Sequence, residues 1–187
     1  MNSESDLYLV SKFAKGRVAV FIDAANIFYS QRTLKWHIDY EKLASYLRNT
    51  LNLIGIFYYT GHVGSLEKQQ KFLKKLISLG YHVTSKEIKF IRVSGSTDIP
   101  KGNLDVELAL DAYRMRDEFD TIILFSGDSD FAYLLEMLKQ GGKNTIVVSM
   151  RGHISRELLE RAKYIDLPKL RSVIEKIKEP DKPAPEV

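Results

Sequence analysis

Four runs of consecutive apolar residues do most to limit what this chain can become: Arg17–Asp23 (RVAVFID), Leu53–Thr60 (LIGIFYYT), Thr121–Ser126 (TIILFS) and Asn144–Ser149 (NTIVVS). Each has the length of a strand, and none alternates apolar with polar residues. A strand that is apolar on both sides must be covered on both, which is the condition of a parallel sheet between two helical layers. The intervening segments carry the helical period. Asp39 is placed to cap a helix with Leu43, Leu47 and Leu51 on one face, and Ile38 with Leu43 can form a hydrophobic staple. Ser65 is expected to cap a second helix that turns Leu66, Phe72, Leu73, Leu76 and Ile77 inward and closes at Gly80. His82–Val93 reads as a further extended segment, with a break near Lys86, followed by a polar loop over Ser94–Gly102. Helices are expected over Asn103–Arg116, Asp130–Gln140, Ile154–Lys163 and Pro168–Lys178. Five βα units joined by right-handed crossovers give a three-layer α/β/α Rossmann-like sandwich with a mainly parallel central sheet.

The 187 residues fit one domain, read as residues 16–178, with an N-terminal extension over 1–15 and a proline-rich, disordered tail over 179–187. No apolar run approaches the roughly 20 residues of a membrane span, and the first sixteen residues lack a secretory pattern. Without cysteine there is neither a disulfide framework nor a thiolate metal site, so cytoplasmic residence is the simplest expectation. The net charge of +4 permits a polyanionic partner without identifying one.

Acidic residues gather where such a sheet binds ligands, beyond the carboxyl ends of its strands. Asp23 ends the first strand, with Asn26 three residues later, and Asp128 and Asp130 follow the fourth strand in SGDSDF. Each acid taken singly can be a helix cap. Asp105 is harder to dismiss, because it falls inside the apolar arc of Leu104, Leu108, Ala112 and Met115. A carboxylate aimed inward needs either a basic partner or a metal. Converging carboxylates without cysteine or a histidine pair suit a hard cation, Mg²⁺ or Mn²⁺, and the four scattered histidines argue against zinc. Phosphodiester hydrolysis is the chemistry such sites perform. Ser126 has no histidine base within its own motif.

These residues form an ordered set, FIDAANI (21–27), KGNLDVELALD (101–111) and LFSGDSDFAYLLEMLKQGGK (124–143), that resembles the NYN domain, specifically its LabA-like (DUF88) branch within the PIN-like nuclease superfamily. The resemblance extends over about Arg17–Leu167. It implies a PIN-like fold, dependence on Mg²⁺ or Mn²⁺, and RNA as substrate. Asp23, Asp105 and Asp128 match the metal-site acids, Asp130 the fourth acid, and Asn26 and Ser126 the polar positions that orient water or phosphate. Two departures are Ala24, where the family commonly has glycine, and Tyr133, where it often has proline.

Lys101, Arg151 and His153 fall on the same edge and are candidate phosphate contacts for RNA, expected to be single-stranded. Lys68, Lys71, Lys74 and Lys75 form a stripe opposite the apolar face of their helix, read as solvated surface. Trp36 is read as core in preference to a base-stacking platform. The alternative function is a catalytically silent PIN-like module that binds RNA or protein. A phosphatase of the haloacid dehalogenase type would need a second aspartate two residues after the first, where this chain has Ala25. Self-association into a homodimer is left open.

Overall fold

The computed structural model describes residues 7–62, 66–91, 99–101 and 103–177. Six parallel strands make one sheet in the order β3-β2-β1-β6-β7-β8, from β1 (Arg17–Asp23), β2 (Asn52–His62), β3 (Tyr81–Glu87), β6 (Thr121–Phe125), β7 (Asn144–Ser149) and β8 (Lys163–Asp166). A separate antiparallel pair, β4 (Lys89–Ile91) with β5 (Ile99–Lys101), lies in the connection from β3 to β6. The chain thus builds outward from β1 to β3, then returns to lay β6 on the other side of β1. That reversal between β1 and β6 is the topological switch point, where α/β sheets bind ligands.

Successive residues of a strand face opposite sides, and the two cores divide accordingly. Val18, Val20 and Ile22 of β1 pack into one core with α1 (Ala24–Leu34), α2 (Tyr40–Thr50), α3 (Glu67–Ser78) and the C-terminal turns. Those turns are a 3₁₀ turn at Leu167–Leu170 and α7 (Arg171–Ile174). Ala19 and Phe21 point the other way, toward α4 (Asp105–Arg114), α5 (Ala132–Gln140) and α6 (Arg156–Arg161). The central strands β1, β6 and β7 are buried almost end to end because both of their faces are covered. Trp36 lies in the first core, as expected. Among the described residues no helix is long and apolar enough to cross a membrane.

Several sequence expectations need correction. Helix α1 was not anticipated, because Ser30 and Gln31 are buried on it while Phe28 and Tyr29 are exposed. The segment expected as helix through Lys163 stops at Arg161, and β8 follows it as a sixth strand at the sheet edge. The C-terminal helix expected over Pro168–Lys178 is a 3₁₀ turn and the single turn of α7. Part of the expected polar loop forms β5. Leu66, at the cap of α3, and Ile77 on it are exposed and Leu76 is fully buried, since this helix packs mainly on the edge strand β3 and buries a narrow stripe. Ser65, Val93 and the tail lie outside the described residues. Asp39 does cap α2, accepting from Glu41 N and Lys42 N at 3.0 and 3.2 Å.

Candidate functional site

The register of the sheet delivers the first acid. Ile22 pairs with Phe125, so Asp23 and Ser126, one residue beyond each, meet at the carboxyl edge. The Ser126 hydroxyl donates to Asp23 Oδ2 at 2.9 Å. Asp23 Oδ1 accepts from Ala25 N and Asn26 N, so this residue also caps α1. It is 8% exposed. Burial raises its pKa above the usual carboxylate range, while the Ser126 hydroxyl and the two backbone amides oppose that rise and nearby Asp128 adds to it.

Asp128 caps the 3₁₀ turn Ser129–Phe131, accepting from Asp130 N at 3.0 Å. Its own N–H donates to Ser126 Oγ at 3.2 Å, so one hydroxyl ties the ends of β1 and β6 together. The Asn26 side-chain carbonyl accepts from Gly127 N at 3.0 Å and closes a second link across the same gap. Gly127 has a steric reason to be glycine. A Cβ here would drive into the carbonyl oxygen of His153 and lie 2.7 Å from Ser149 Oγ, and Ser155 N donates to the Gly127 carbonyl at 2.9 Å.

Asp105 opens α4, half-buried beside the buried Leu104, Leu108 and Ala112. Its carboxylate accepts from Asn103 Nδ2 at 2.7 Å. Partial burial, followed by the charges of Asp23 and Asp128, pushes its pKa up to about 6, with Asn103 opposing and Asp130 contributing. Carboxylate oxygens of Asp105, Asp128 and Asp130 all lie within 4.8 Å of one another. Asp23 stands behind them, in electrostatic contact with Asp105 and Asp128 but outside that group of three. Among the described residues, no lysine or arginine forms an ion pair with any of the four. Of the two partners open to an inward Asp105, the basic one is therefore not found there. The site is a set of hard oxygen donors of one sign, suited to a divalent cation and poorly suited to a soft one.

Residues 17–168 match the NYN domain family. The chain belongs to that family. This NYN protein is 36% identical over 174 residues to the low amplitude and bright protein LabA of Synechococcus elongatus, an alignment covering 90% of this chain and 93% of its relative. A crystal structure of a protein of unknown function from Vibrio parahaemolyticus matches it with a TM-score of 0.69 at 25% identity, over 86% of this chain and 97% of the other. The likeness agrees with a three-layer α/β/α PIN-like fold around the six-stranded sheet. Domains of the NYN family are generally nucleases with an RNA-related role, and PIN-like nucleases usually use divalent metals.

The candidate RNA contacts of this NYN domain sit on separate elements. Lys101 ends β5 by backbone pairing with Lys89, four residues before Asp105. Arg151 is exposed after β7, its N–H donating to Asp166 Oδ1 at 3.0 Å. His153 has its ring nitrogens 3.4 and 3.3 Å from the hydroxyls of Ser30 and Thr33, and so ties the turn after β7 to α1. The lysines of α3 are exposed, two of them paired: Lys71 with Glu67 at 2.7 Å and Lys75 with Glu41 at 3.5 Å. Asn103, expected only as the first residue of a helix, and the end of β2 are additions to the site. Tyr59, Thr60 and Gly61 there line a small recess with Asp23 and Asp105. The signal was available, because β2 neighbours β1 and its carboxyl end must reach the same edge.

Proposed function

We propose that this NYN protein is a metal-dependent ribonuclease. The observation that carries the reading is the approach of three carboxylates, Asp105, Asp128 and Asp130, within 4.8 Å and without a cationic side chain paired to them among the described residues. The donor chemistry fits Mg²⁺ or Mn²⁺. Asp105, Asp128 and Asp130 would hold the ion, with Asp23 as the fourth acid completing the negative field behind it. When bound, such an ion supplies activation of a water, neutralisation of the scissile phosphate and stabilisation of the leaving 3′-oxygen. Ser126 and Asn26 fix the frame, since their side chains bridge β1 to the turn that carries Asp128. Asn103 orients Asp105 through its amide. Arg151 and Lys101 are the proposed phosphate contacts, positioning the strand without reading its sequence. The direct test is hydrolysis of a single-stranded RNA in Mn²⁺ or Mg²⁺ against the same reaction in EDTA. Metal-dependent cleavage is expected. Binding of RNA or protein without cleavage under either condition would make this a silent module instead.

Clustered acids also affect the stability of the metal-free protein. Asp105 holds its proton more tightly when folded, with a pKa of about 6 against 3.8 for the free group. Its contribution is therefore fully present below about pH 4 and is lost as the pH rises through about 6. Asp105→Asn removes that loss. In EDTA at pH 7.5 the variant should melt a few degrees above the parent, with the gap narrowing below about pH 5. Added Mn²⁺ should raise the melting temperature of the parent far more than that of the variant, because the ion binds only the folded site. A variant melting several degrees below the parent in EDTA would indicate a broken ion pair and remove Asp105 from the proposed metal site.

A further inference from the structure

Helix α1 turns two aromatic side chains to solvent beside the acidic cluster. Phe28 is 54% and Tyr29 59% exposed, and their rings meet edge to face at 5.7 Å between centroids. The Arg32 guanidinium lies 6.0 Å from the Phe28 ring centre. Both aromatics line a cleft of about 560 Å³ between α1, the end of β2 and α3, floored by Tyr58 and Phe72. This cleft is continuous with the recess at Asp23 and Asp105, since Ala25, Thr60, Gly61 and Asn103 line both. On its far side it shares Phe28, Tyr58 and Phe72 with a second hollow that ends at His37 and Lys176.

Such a trough has the chemistry of an unpaired nucleic-acid strand. Flat aromatic faces stack a base whatever its identity. Thr60, Gln69 and Asn103 make part of the lining polar, Thr60 and Gln69 donating to the Gly61 carbonyl and Asn103 to Asp105, and a base edge suits such a wall better than an apolar peptide side chain does. The exposed cations Lys176 and Arg32 suit the backbone that would run past the stack. We propose that the cleft between α1 and α3 is a nucleobase subsite, in which one unpaired base of the substrate strand stacks on one ring of the Phe28–Tyr29 pair and meets the other edge-on, while the adjoining phosphate lies at the acids. The inference rests on the nuclease reading of that cluster, and it makes the substrate single-stranded, because a paired base could not enter.

The test titrates the full chain, in EDTA so that no strand is cut, with a short single-stranded RNA carrying 2-aminopurine, and with the same RNA made abasic at one position in turn. Phe28→Ala and Tyr29→Ala should each weaken binding about ten-fold. One abasic position should weaken the parent similarly and leave the double variant unaffected. Phe28→Trp should retain or tighten binding, and Tyr8→Ala, an equally exposed aromatic outside the cleft, should change nothing. Cleavage of the intact RNA is measured in Mn²⁺ in parallel. Normal RNA binding by the alanine variants, with cleavage present, overturns the subsite and leaves the nuclease standing. Binding that depends on Phe28 and Tyr29, with no cleavage by the parent, keeps the subsite and overturns the nuclease. Loss of both binding and cleavage in the parent overturns both.

Discussion

Asp128→Asn is expected to lower Mn²⁺-dependent RNA cleavage by about a hundredfold or more while leaving the fold intact. The size follows from the several kcal/mol that a correctly held cation contributes to charge stabilisation, at about 1.4 kcal/mol per tenfold. The selectivity follows from the cap. Asp128 accepts a hydrogen bond from Asp130 N, and an asparagine side-chain oxygen serves there as well as an aspartate one. The substitution therefore removes a negative charge from the cluster and little else. Cleavage rate and melting temperature are read together. More than a tenth of the parent rate, in a variant that melts normally, would mean that Asp128 does not hold the ion.

Gly127→Ala should have the largest effect on stability. The added methyl meets backbone, the His153 carbonyl, rather than the movable end of a side chain, and it also crowds Ser149 Oγ. Relief requires the turn after β7 to move away from the end of β6, which strains Ser155 N against the Gly127 carbonyl and the His153 ring against Ser30 and Thr33. Overpacking of this kind costs about 3 kcal/mol, or about 10 °C of melting temperature in a domain of this size. A melting temperature within about two degrees of the parent would show that the turn yields freely. The glycine of SGDSDF would then need an explanation other than close approach.

The strand runs were legible because burial on both faces leaves an unmistakable record in the residues, and Asp23 and Asp128 could be placed at one edge from the strand ends, while Asp105 followed from its place on the apolar arc of its helix and from the family resemblance. What escaped notice had weaker or contrary signals. Helix α1 reverses the usual pattern, burying Ser30 and Gln31 and exposing Phe28 and Tyr29, because the Gln31 side chain accepts from Ile38 N at 2.7 Å inside the core. No periodicity of apolar residues could reveal a helix whose inner face is partly polar. Strand β8 is only four residues long at the sheet edge, and a short edge strand carries little propensity of its own. Depth was also out of reach. Asp23, Asp105, Asp128 and Asp130 look alike in sequence, yet Asp23 is the buried one, whose two oxygens take three hydrogen bonds, and Asp130 is exposed. For the acids at the strand ends, cap and ligand are not exclusive roles. Asp23 and Asp128 show that one carboxylate can cap a helix and still face the cluster.

The order of the strands has a bearing on when the proposed metal site can form. Asp23 is made early, but the side of β1 that must receive Asp128 stays bare until the chain has run out to β3, passed through the antiparallel pair and returned with β6. A growing chain that has not yet reached residue 128 holds Asp23 and Asp105 without the turn that would gather them, and without Ser126 to brace Asp23. The acids become neighbours only through pairings that link residues about a hundred positions apart, which form late because distant segments must first be brought together. The cluster is thus withheld from any product that ends before residue 128 and from any chain whose central strands have not paired, so that, on the proposed nuclease reading, synthesis itself acts as the safety catch.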